Sequence, residues 1–414
     1  MKTYFGWYVV AISALTLALV LGASIQGFGL FVLPVSESFN LSRADTNTAA
    51  IALNVGMAVM APFLGRLLDS RSSKLIMAIS AVLFGGSLVV LGLSHNVWLS
   101  VAVIALPLAA AVVGCGTLTS PTLVARWFTV HRGRAMAIAM MGLSLGPVVV
   151  VPLVSLLIEA VGWRTSLVVL GVVIGALLLL LAALVRERPG PNDIEVRGVG
   201  APDPAPLAEV PELARRPLGV GQLLAMPQFW TIALAAAFVF AIMTAVLVSL
   251  VPYAQGEGLS LAQGASLMSA YGLAAIGGTL LVAWLGDRFD RLTLMAVLSV
   301  LIGFAVALLM VADGYVTILA STAVLGLVSG ALTPVFLALV ADLFGPASFG
   351  TANGVASFIS TIVGAAAIRY GGEVFDRTGS YRLMFLSFLV VGLAAAVLTF
   401  ATGPLARRYP LAVA

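Results

Sequence analysis

The chain has 414 residues, of which 61% are hydrophobic and only 9% are charged, with 21 basic and 17 acidic residues. Soluble domains carry about 25% charged residues, so this composition excludes a soluble enzyme and a disordered chain. The apolar runs are continuous and do not alternate with polar residues, which argues against an outer-membrane barrel. Cys115 is the single cysteine, so an intrachain disulfide is excluded as well.

Apolar runs long enough to cross a bilayer, about 20 residues each, follow one another along the chain. The first begins just after Lys2 and is too long for the apolar part of a signal peptide, so we interpret it as a retained span. Twelve spans are predicted: 6–33, 46–68, 75–93, 97–125, 133–158, 164–185, 229–252, 262–285, 292–311, 315–341, 349–370 and 381–402. The predicted fold class is therefore an all-α membrane protein.

A polar segment, residues 186–228, separates the sixth span from the seventh. It contains eight prolines and eleven charged residues, a composition typical of loops. We therefore expect an N-terminal six-helix bundle at 1–185, a linker at 186–228 and a C-terminal six-helix bundle at 229–414.

Lys and Arg residues are distributed unequally between the two sides of the predicted spans. If both termini and the linker share a side, that side carries sixteen of them and the other side five. Loops rich in Lys and Arg stay inside, which predicts cytoplasmic termini and a cytoplasmic linker in a bacterial-type inner (plasma) membrane. The six tryptophans lie near predicted span ends, as an interfacial belt requires.

The two halves of the chain align without gaps over a stretch at an offset of 218 residues. The matching positions are Pro34 with Pro252, Asp69 with Asp287, and Trp163-Arg164 with Tyr381-Arg382. Ser260 and Gln263 form a predicted capping box at the eighth span, and Ser42 and Asp45 form its carboxylate variant at the second. Such residues rarely match by chance, so we infer a duplication, the way many secondary transporters are built.

The loop between spans two and three carries a charged motif. It contains Gly65, Leu67, Asp69 and Lys74 of the pattern G-x-L-x-D-R-x-G-R-R/K, while Ser70, Ser72 and Ser73 depart from that pattern. With its second copy, Asp287-Arg288-x-x-Arg291, the motif makes the chain resemble the major facilitator superfamily over its whole length. The resemblance implies two pseudo-symmetric six-helix bundles and a gate of ion pairs on the cytoplasmic side, although ordinary charged loops would also follow the positive-inside rule. The gating candidates are Asp69, Arg71, Arg132, Asp287 and Arg288.

Span five opens with Trp127-Phe128 and Arg132-Gly133-x-Ala135, and then carries Gly142-x-x-x-Gly146-Pro147. Together with Phe5-Gly6-Trp7 and residues 371–381, this is similar to the monocarboxylate transporter and oxalate/formate antiporter group. The resemblance implies a small organic acid as substrate. The glycines allow close helix packing and Pro147 bends the span, a pattern that serves either gating or packing.

The middle of every predicted span is free of Asp and Glu. The resembled group holds carboxylates with basic residues in span eight or eleven, but span eight here has no charge and Arg369 lies at the extracellular end of span eleven. The polar residues left at mid-depth are neutral, and they either contact solute or form interhelical hydrogen bonds. The substrate-binding candidates are Gln26, Asn54, Thr117, Thr119, Ser144, Tyr271, Thr333, Asn353 and Ser357.

These features predict a secondary active transporter that moves a small organic solute, a monocarboxylate-like acid, by alternating access. An exporter or importer of a neutral or lipophilic compound and a non-transporting membrane sensor stay open as alternatives. A membrane enzyme is disfavoured because His95 and His131, the two histidines, lie at loops. We expect no cofactor, metal or nucleic acid, and a monomer whose partners are the solute, the lipid bilayer and a coupling proton or counter-substrate.

Overall fold

The protein is all helical in the part of the chain that the structure, a computed structural model, describes: residues 4–128, 132–187, 218–285 and 289–408. Apolar chains in lipid form helices because every backbone hydrogen bond is then made within the segment. Twelve helices are long and apolar enough to cross a membrane, and we number them α1 to α12: Gly6–Phe39, Arg43–Leu68, Ser73–Leu93, Val97–Trp127, Arg134–Val161, Trp163–Leu184, Pro227–Gly256, Leu261–Val282, Arg291–Val311, Tyr315–Gly345, Ser348–Thr378 and Arg382–Ala406. The prediction of twelve spans is confirmed.

Two helices extend well beyond their predicted ends. α1 continues through Pro34 and ends at Phe39, followed by Asn40 in the left-handed conformation. α11 continues to Thr378, where Glu373 accepts hydrogen bonds from Arg369 at 2.9 Å and from Arg377 at 3.2 Å. Ion pairs four residues apart favour the helical state, so this polar turn stays helical although it is not apolar.

The predicted caps form. The backbone N–H of Asp45 donates to Ser42 Oγ at 3.0 Å, at the start of α2. At α8 the backbone N–H of Ser260 donates to Gln263 Oε1 at 2.9 Å, and the N–H of Gln263 donates to Ser260 Oγ at 3.1 Å. Both pairs satisfy N–H groups that have no partner inside the helix.

Three of the first six helices are interrupted by π-helical turns. One lies in α1 at Gly22–Gln26, two lie in α4 at Ile104–Leu108 and Val113–Thr117, and one lies in α5 at Gly146–Val150. Two of the four contain a proline, which has no N–H for the helical ladder. Such turns rotate the side chains that follow them and are frequent at functional sites.

Close contacts between backbones join the third helix to the sixth in each half. If Gly85 of α3 were replaced by alanine, the added Cβ atom would lie only 2.6 Å from the carbonyl oxygen of Gly171 in α6. Gly303 of α9, which stands 218 residues after Gly85, would place a Cβ 3.5 Å from the Cα of Gly392 in α12. The same helix pair packs through glycine in both halves, as the sequence repeat predicts.

The chain divides into two compact units. The first comprises Met1–Val199 and Leu247–Gly272, and the second comprises Gly200–Val246 and Leu273–Ala414. The hairpin between α7 and α8 therefore belongs to the unit that contains α1 to α6. Most of the predicted linker, residues 188–217, lies outside the described residues, so the division at 186–228 stays a prediction.

Candidate functional site

α1 and α5 of the first unit pack with almost no side chain between them. A Cβ on Gly22 would lie 2.7 Å from Val150 Cβ and 3.0 Å from the Cα of Gly146. A Cβ on Gly142 would collide with the carbonyl oxygen of Ala14. The glycines of span five that resemble the family pattern thus bring α5 into direct backbone contact with α1.

Gln26 bridges these two helices at the point where Pro147 breaks the hydrogen-bond ladder. Since proline has no N–H, the carbonyl of Leu143, four residues before Pro147, loses its usual donor. Gln26 Nε2 donates to this carbonyl at 2.6 Å. The other end of the amide, Gln26 Oε1, is buried beside Gly146 without a hydrogen-bond donor.

α8 satisfies a second carbonyl that the prolines of α5 leave without a donor. The N–H of Val151, the usual partner of the Pro147 carbonyl, donates to Gly146 instead, and the next residue, Pro152, has no N–H. Ser269 Oγ lies 3.1 Å from the Pro147 carbonyl oxygen and 3.3 Å from the Ala265 carbonyl oxygen of its own helix, and its hydroxyl hydrogen is shared between these two acceptors. A side chain from another helix again replaces a backbone donor.

A third contact ties the far end of α5 to the first turn of α8. Glu159 Oε1 accepts a hydrogen bond from the backbone N–H of Ala262 at 3.1 Å. A carboxylate at this position also interacts favourably with the positive end of the helix dipole. α5 is therefore joined to α1 through Leu143 and to α8 through Pro147 and Glu159, all within the first unit.

Two of the predicted substrate-binding residues, Gln26 and Ser144, lie at this junction. Gln26 donates to the carbonyl of Leu143, the residue before Ser144. The carbonyl oxygen of Ser144 approaches Gly272 of α8 so closely that a Cβ atom added to this glycine would lie 2.7 Å from it. Tyr271 precedes that glycine and is 9% exposed. The structure thus places Gln26 beside the segment Gly142–Pro147 of α5, which contains Ser144, and it places Gly272, the chain neighbour of Tyr271, against the same segment.

The other candidates of the first unit lie on α2 and α4. Asn54 Nδ2 donates to the carbonyl of Ala50 in its own helix at 2.8 Å, and Thr119 is fully buried and donates to the carbonyl of Gly114. Both thus bond their own helices. Thr117, half-buried at the end of a π-helical turn, keeps a hydroxyl without a hydrogen bond to any described residue.

The candidates of the second unit lie on α10 and α11. Thr333 and Ser357 are exposed, and Asn353 is half-buried. The carbonyl of Ser357 accepts a hydrogen bond from Thr361 Oγ1 at 2.9 Å. All three side chains are thus open to contact from outside their helices.

Most of the predicted gate cannot be located. Asp287 and Arg288 lie outside the described residues, as do the side chains of Asp69 and Arg132. Arg71 follows α2, with its N–H bonded to the carbonyl of Leu67 and its side chain exposed.

Two polar contacts near the same loops were missed by the sequence analysis. Arg126, at the end of α4, donates to Ser73 Oγ at 2.8 Å and to the carbonyl of Leu68 at 3.0 Å, which fixes the loop between α2 and α3. In the second half Arg291, at the start of α9, pairs with Asp342 of α10 at 2.6 Å. Arg291 and Ser73 stand 218 residues apart, so each half joins its third helix to its fourth from the same position on the third helix.

In the described part of the chain, no group of three or more His, Cys, Asp or Glu side chains is placed to hold a metal ion. What the junction offers is neutral: one amide, hydroxyl groups and backbone carbonyls. Such groups donate and accept hydrogen bonds but hold no fixed countercharge for an anion.

Comparisons with known proteins identify the family of the chain. The chain is 25% identical to the uncharacterised MFS-type transporter YcxA of Bacillus subtilis (strain 168), over 94% of both chains. It is 27% identical to monocarboxylate transporter 13 of Rattus norvegicus, over 94% of this chain and 87% of the relative.

Solved structures share the fold. A D-xylose-proton symporter superposes with a TM-score of 0.74 at 17% identity, over 97% of both chains. A bacterial homologue of the human lysosomal transporter Spinster, in an inward-facing and unoccupied conformation, superposes with a TM-score of 0.70 over 100% of both chains. The family model of the Major Facilitator Superfamily matches residues 12–368. The chain therefore belongs to the Major Facilitator Superfamily and is a multi-pass membrane transporter, not an enzyme.

Proposed function

We propose that the protein is a secondary active transporter for small monocarboxylic acids, which it carries by alternating access. The observation that carries this proposal is the similarity to monocarboxylate transporter 13 over 94% of the chain. The opening of span one and the glycine pattern of span five support the same substrate class.

The substrate crosses as the neutral, protonated acid. The proposed contacts Gln26, Ser144 and Tyr271 are uncharged, and the sequence has no charge in α8 to hold a carboxylate. A buried anion without a partner is expensive, whereas a protonated acid needs only hydrogen-bond partners. The coupling proton therefore travels on the substrate, and no buried carboxylate of the protein is needed to carry it.

The gate is assigned to Asp69, Arg71, Arg132, Asp287 and Arg288 on the cytoplasmic side, with both termini in the cytoplasm of a plasma membrane. The support is the charged motif, its second copy and the distribution of Lys and Arg. Asn54, Thr117, Thr333, Asn353 and Ser357 are the remaining proposed solute contacts, whereas Thr119, fully buried and bonded to the Gly114 carbonyl, is proposed to stabilise its own helix.

The gate is tested by Asp69→Asn. Loss of the carboxylate weakens its pairing with guanidinium groups, so the transporter should favour the inward-open state. A reporter cysteine placed on each side in turn would show the shift as a change in labelling rate, with Asp313→Asn, in the loop before α10, as a control. Equal labelling of the parent protein and Asp69→Asn would remove Asp69 from the gate.

The substrate class is tested with purified protein in proteoliposomes. A panel of monocarboxylates and a panel of neutral lipophilic compounds are compared for uptake and for ligand-induced thermal shift. Uptake of at least one monocarboxylate, competed by others of similar chain length, is the expected result. Failure of every monocarboxylate at every pH would contradict the proposal.

A second candidate function, transport of a neutral or lipophilic compound, is favoured by the neutral character of the same residues. It predicts that the lipophilic panel is transported and that uptake does not depend on pH. A membrane sensor, the third possibility, predicts a thermal shift without any flux.

A further inference from the structure

A cavity of about 130 Å³ lies inside the first unit, apart from the junction of α5 with α1 and α8. Its walls come from α1, α2, α3, α4 and α6. The deep part is apolar and includes Phe31, Leu53, Leu88 and Leu108. It opens where α1 ends and where α2, α4 and α6 begin.

The cavity is unsuited to water. Its three hydroxyl-bearing side chains donate within their own helices: Ser24 to the Val20 carbonyl at 2.6 Å, Thr46 to the Ser42 carbonyl at 3.0 Å and Ser100 to the Asn96 carbonyl at 3.1 Å. A buried water needs two to four polar partners, and a cavity of comparable size lined by Leu, Ile and Phe stays dry and binds benzene. Hydrocarbon is therefore the better occupant.

Two π-helical turns help to form the walls. Gly22–Gln26 supplies Ala23 and Ser24, and Ile104–Leu108 supplies its first and last residues. Such turns are less stable than regular α-helix and persist where they serve a function. Here both turns place small or apolar side chains against the same space.

The opening of the cavity has a different chemistry. The rings of Phe39 and Trp163 line it, and the Arg164 guanidinium carbon lies 5.3 Å and 4.4 Å from their respective centroids. Trp163 Nε1 donates to Ser38 Oγ at 3.0 Å. Asp45 is exposed and is the charged member of the described lining. Aromatic rings beside charged groups are typical of the level of lipid headgroups.

We propose that this cavity binds the hydrocarbon chain of an amphipathic molecule, with the polar head at Asp45 and Arg164. Because the opening carries one acidic and one basic group, the head is not selected by its charge, and recognition rests on the chain. The site is separate from the transported solute and does not depend on the function proposed above. Both a membrane lipid and a free fatty acid have the required chemistry.

Photo-crosslinking of the full chain in phosphatidylcholine nanodiscs tests the proposal. One arm uses phosphatidylcholine with a diazirine at the end of an acyl chain, and the other adds a free fatty acid with the same group. After irradiation, mass spectrometry should find the label on cavity residues such as Phe31, Leu53 and Leu88 in at least one arm. Label in the lipid arm alone identifies a resident lipid, and label with the fatty acid identifies a free amphiphile.

A substitution that fills the cavity completes the test. Ala49 lines the space, so Ala49→Phe should abolish the cavity label, and Ala49→Leu is the smaller change to use where Ala49→Phe fails to fold. Ala102→Phe, at an exposed position of α4 outside the lining, is the matched control and should keep the label. Label that persists in the filled variant, or that maps in the parent protein only to outward-facing residues such as Val82, would overturn the proposal.

Discussion

At the scale of single residues, the prolines of α5 determine which side chains its neighbours must supply. Pro147 leaves the Leu143 carbonyl without its backbone donor, and Gln26 supplies one at 2.6 Å. In a bilayer no water is available to replace a lost donor. The amide of Gln26 is therefore required by the backbone of another helix, whatever its role toward the solute.

Gln26 and Pro147 should be coupled energetically. Gln26→Leu leaves the Leu143 carbonyl unsatisfied and should lower the free energy of unfolding by about 1–3 kcal/mol. Pro147→Ala restores a backbone N–H that can donate to the Leu143 carbonyl. In the Pro147→Ala protein, Gln26→Leu should therefore lower the free energy of unfolding by less. A double-mutant cycle measured by thermal or denaturant unfolding in one detergent gives the coupling.

The cycle has a clear negative result. If the two substitutions are additive, the hydrogen bond between Gln26 and Leu143 does not compensate for Pro147. Gln255→Leu, a change of the same type on α7, is the control and should show no coupling to Pro147→Ala.

Ser269 makes the corresponding contact from α8. Ser269→Ala should lower stability by about 0.6 kcal/mol, the average found for interhelical hydrogen bonds in a membrane protein. Ser299→Ala, whose buried hydroxyl bonds to Met295 of its own helix α9 at 2.8 Å, is the matched control. The melting temperatures of the two variants are compared. If Ser269→Ala lowers the melting temperature by no more than the control does, Ser269 does not stabilise the contact between α8 and α5.

At the scale of the helices, apolar length predicted twelve elements, whereas their ends depend on local polar contacts. α11 continues beyond its apolar part because Glu373 pairs with Arg369 and Arg377. The capping pairs were predictable because their residues are close in sequence. The bonds of Gln26 to Leu143 and of Arg126 to Leu68 join positions far apart in the chain, and no local pattern reveals them.

Arg126 should stabilise its loop more than Arg291 stabilises the equivalent one. Arg126 is half-buried and bonds a helix-end carbonyl, and hydrogen bonds to charged groups contribute about 1.5–3 kcal/mol. The Arg291–Asp342 side chains are 37% and 52% exposed, and such pairs contribute about 0–1 kcal/mol. The free energies of unfolding of Arg126→Ala and Arg291→Ala, measured under the same conditions, compare the two contributions. A larger loss of stability for Arg291→Ala would show that Arg291 stabilises its loop more than Arg126 does.

At the scale of the whole molecule, family and fold followed from composition, the repeat and the charged motif. The site was less accessible from sequence. Gln26, Ser144 and Tyr271 were chosen as neutral groups at mid-depth, and the structure places Gln26 beside the segment that contains Ser144, with Gly272, the chain neighbour of Tyr271, against that segment. Asn54 and Thr119 met the same criterion, yet they bond to their own helices, because a sequence does not show the direction of a side chain.

The proposed transported species is the protonated acid, and the pH dependence of transport distinguishes this species from the anion. A carboxylic acid with a pKa near that of Glu, about 4.3, is mostly ionised at neutral pH, and its neutral fraction falls about tenfold for each pH unit above that range.

The decisive measurement is the initial rate of uptake of a transported monocarboxylate into proteoliposomes between about pH 5.5 and 7.5. The total acid concentration is kept subsaturating, internal and external pH are equal, and protein-free liposomes supply the background. Because the proposed contacts are all neutral groups, the rate should fall in proportion to the neutral fraction of the acid. A rate that stays constant across this range, or that rises with pH, would show that the anion is the transported species and would contradict the account.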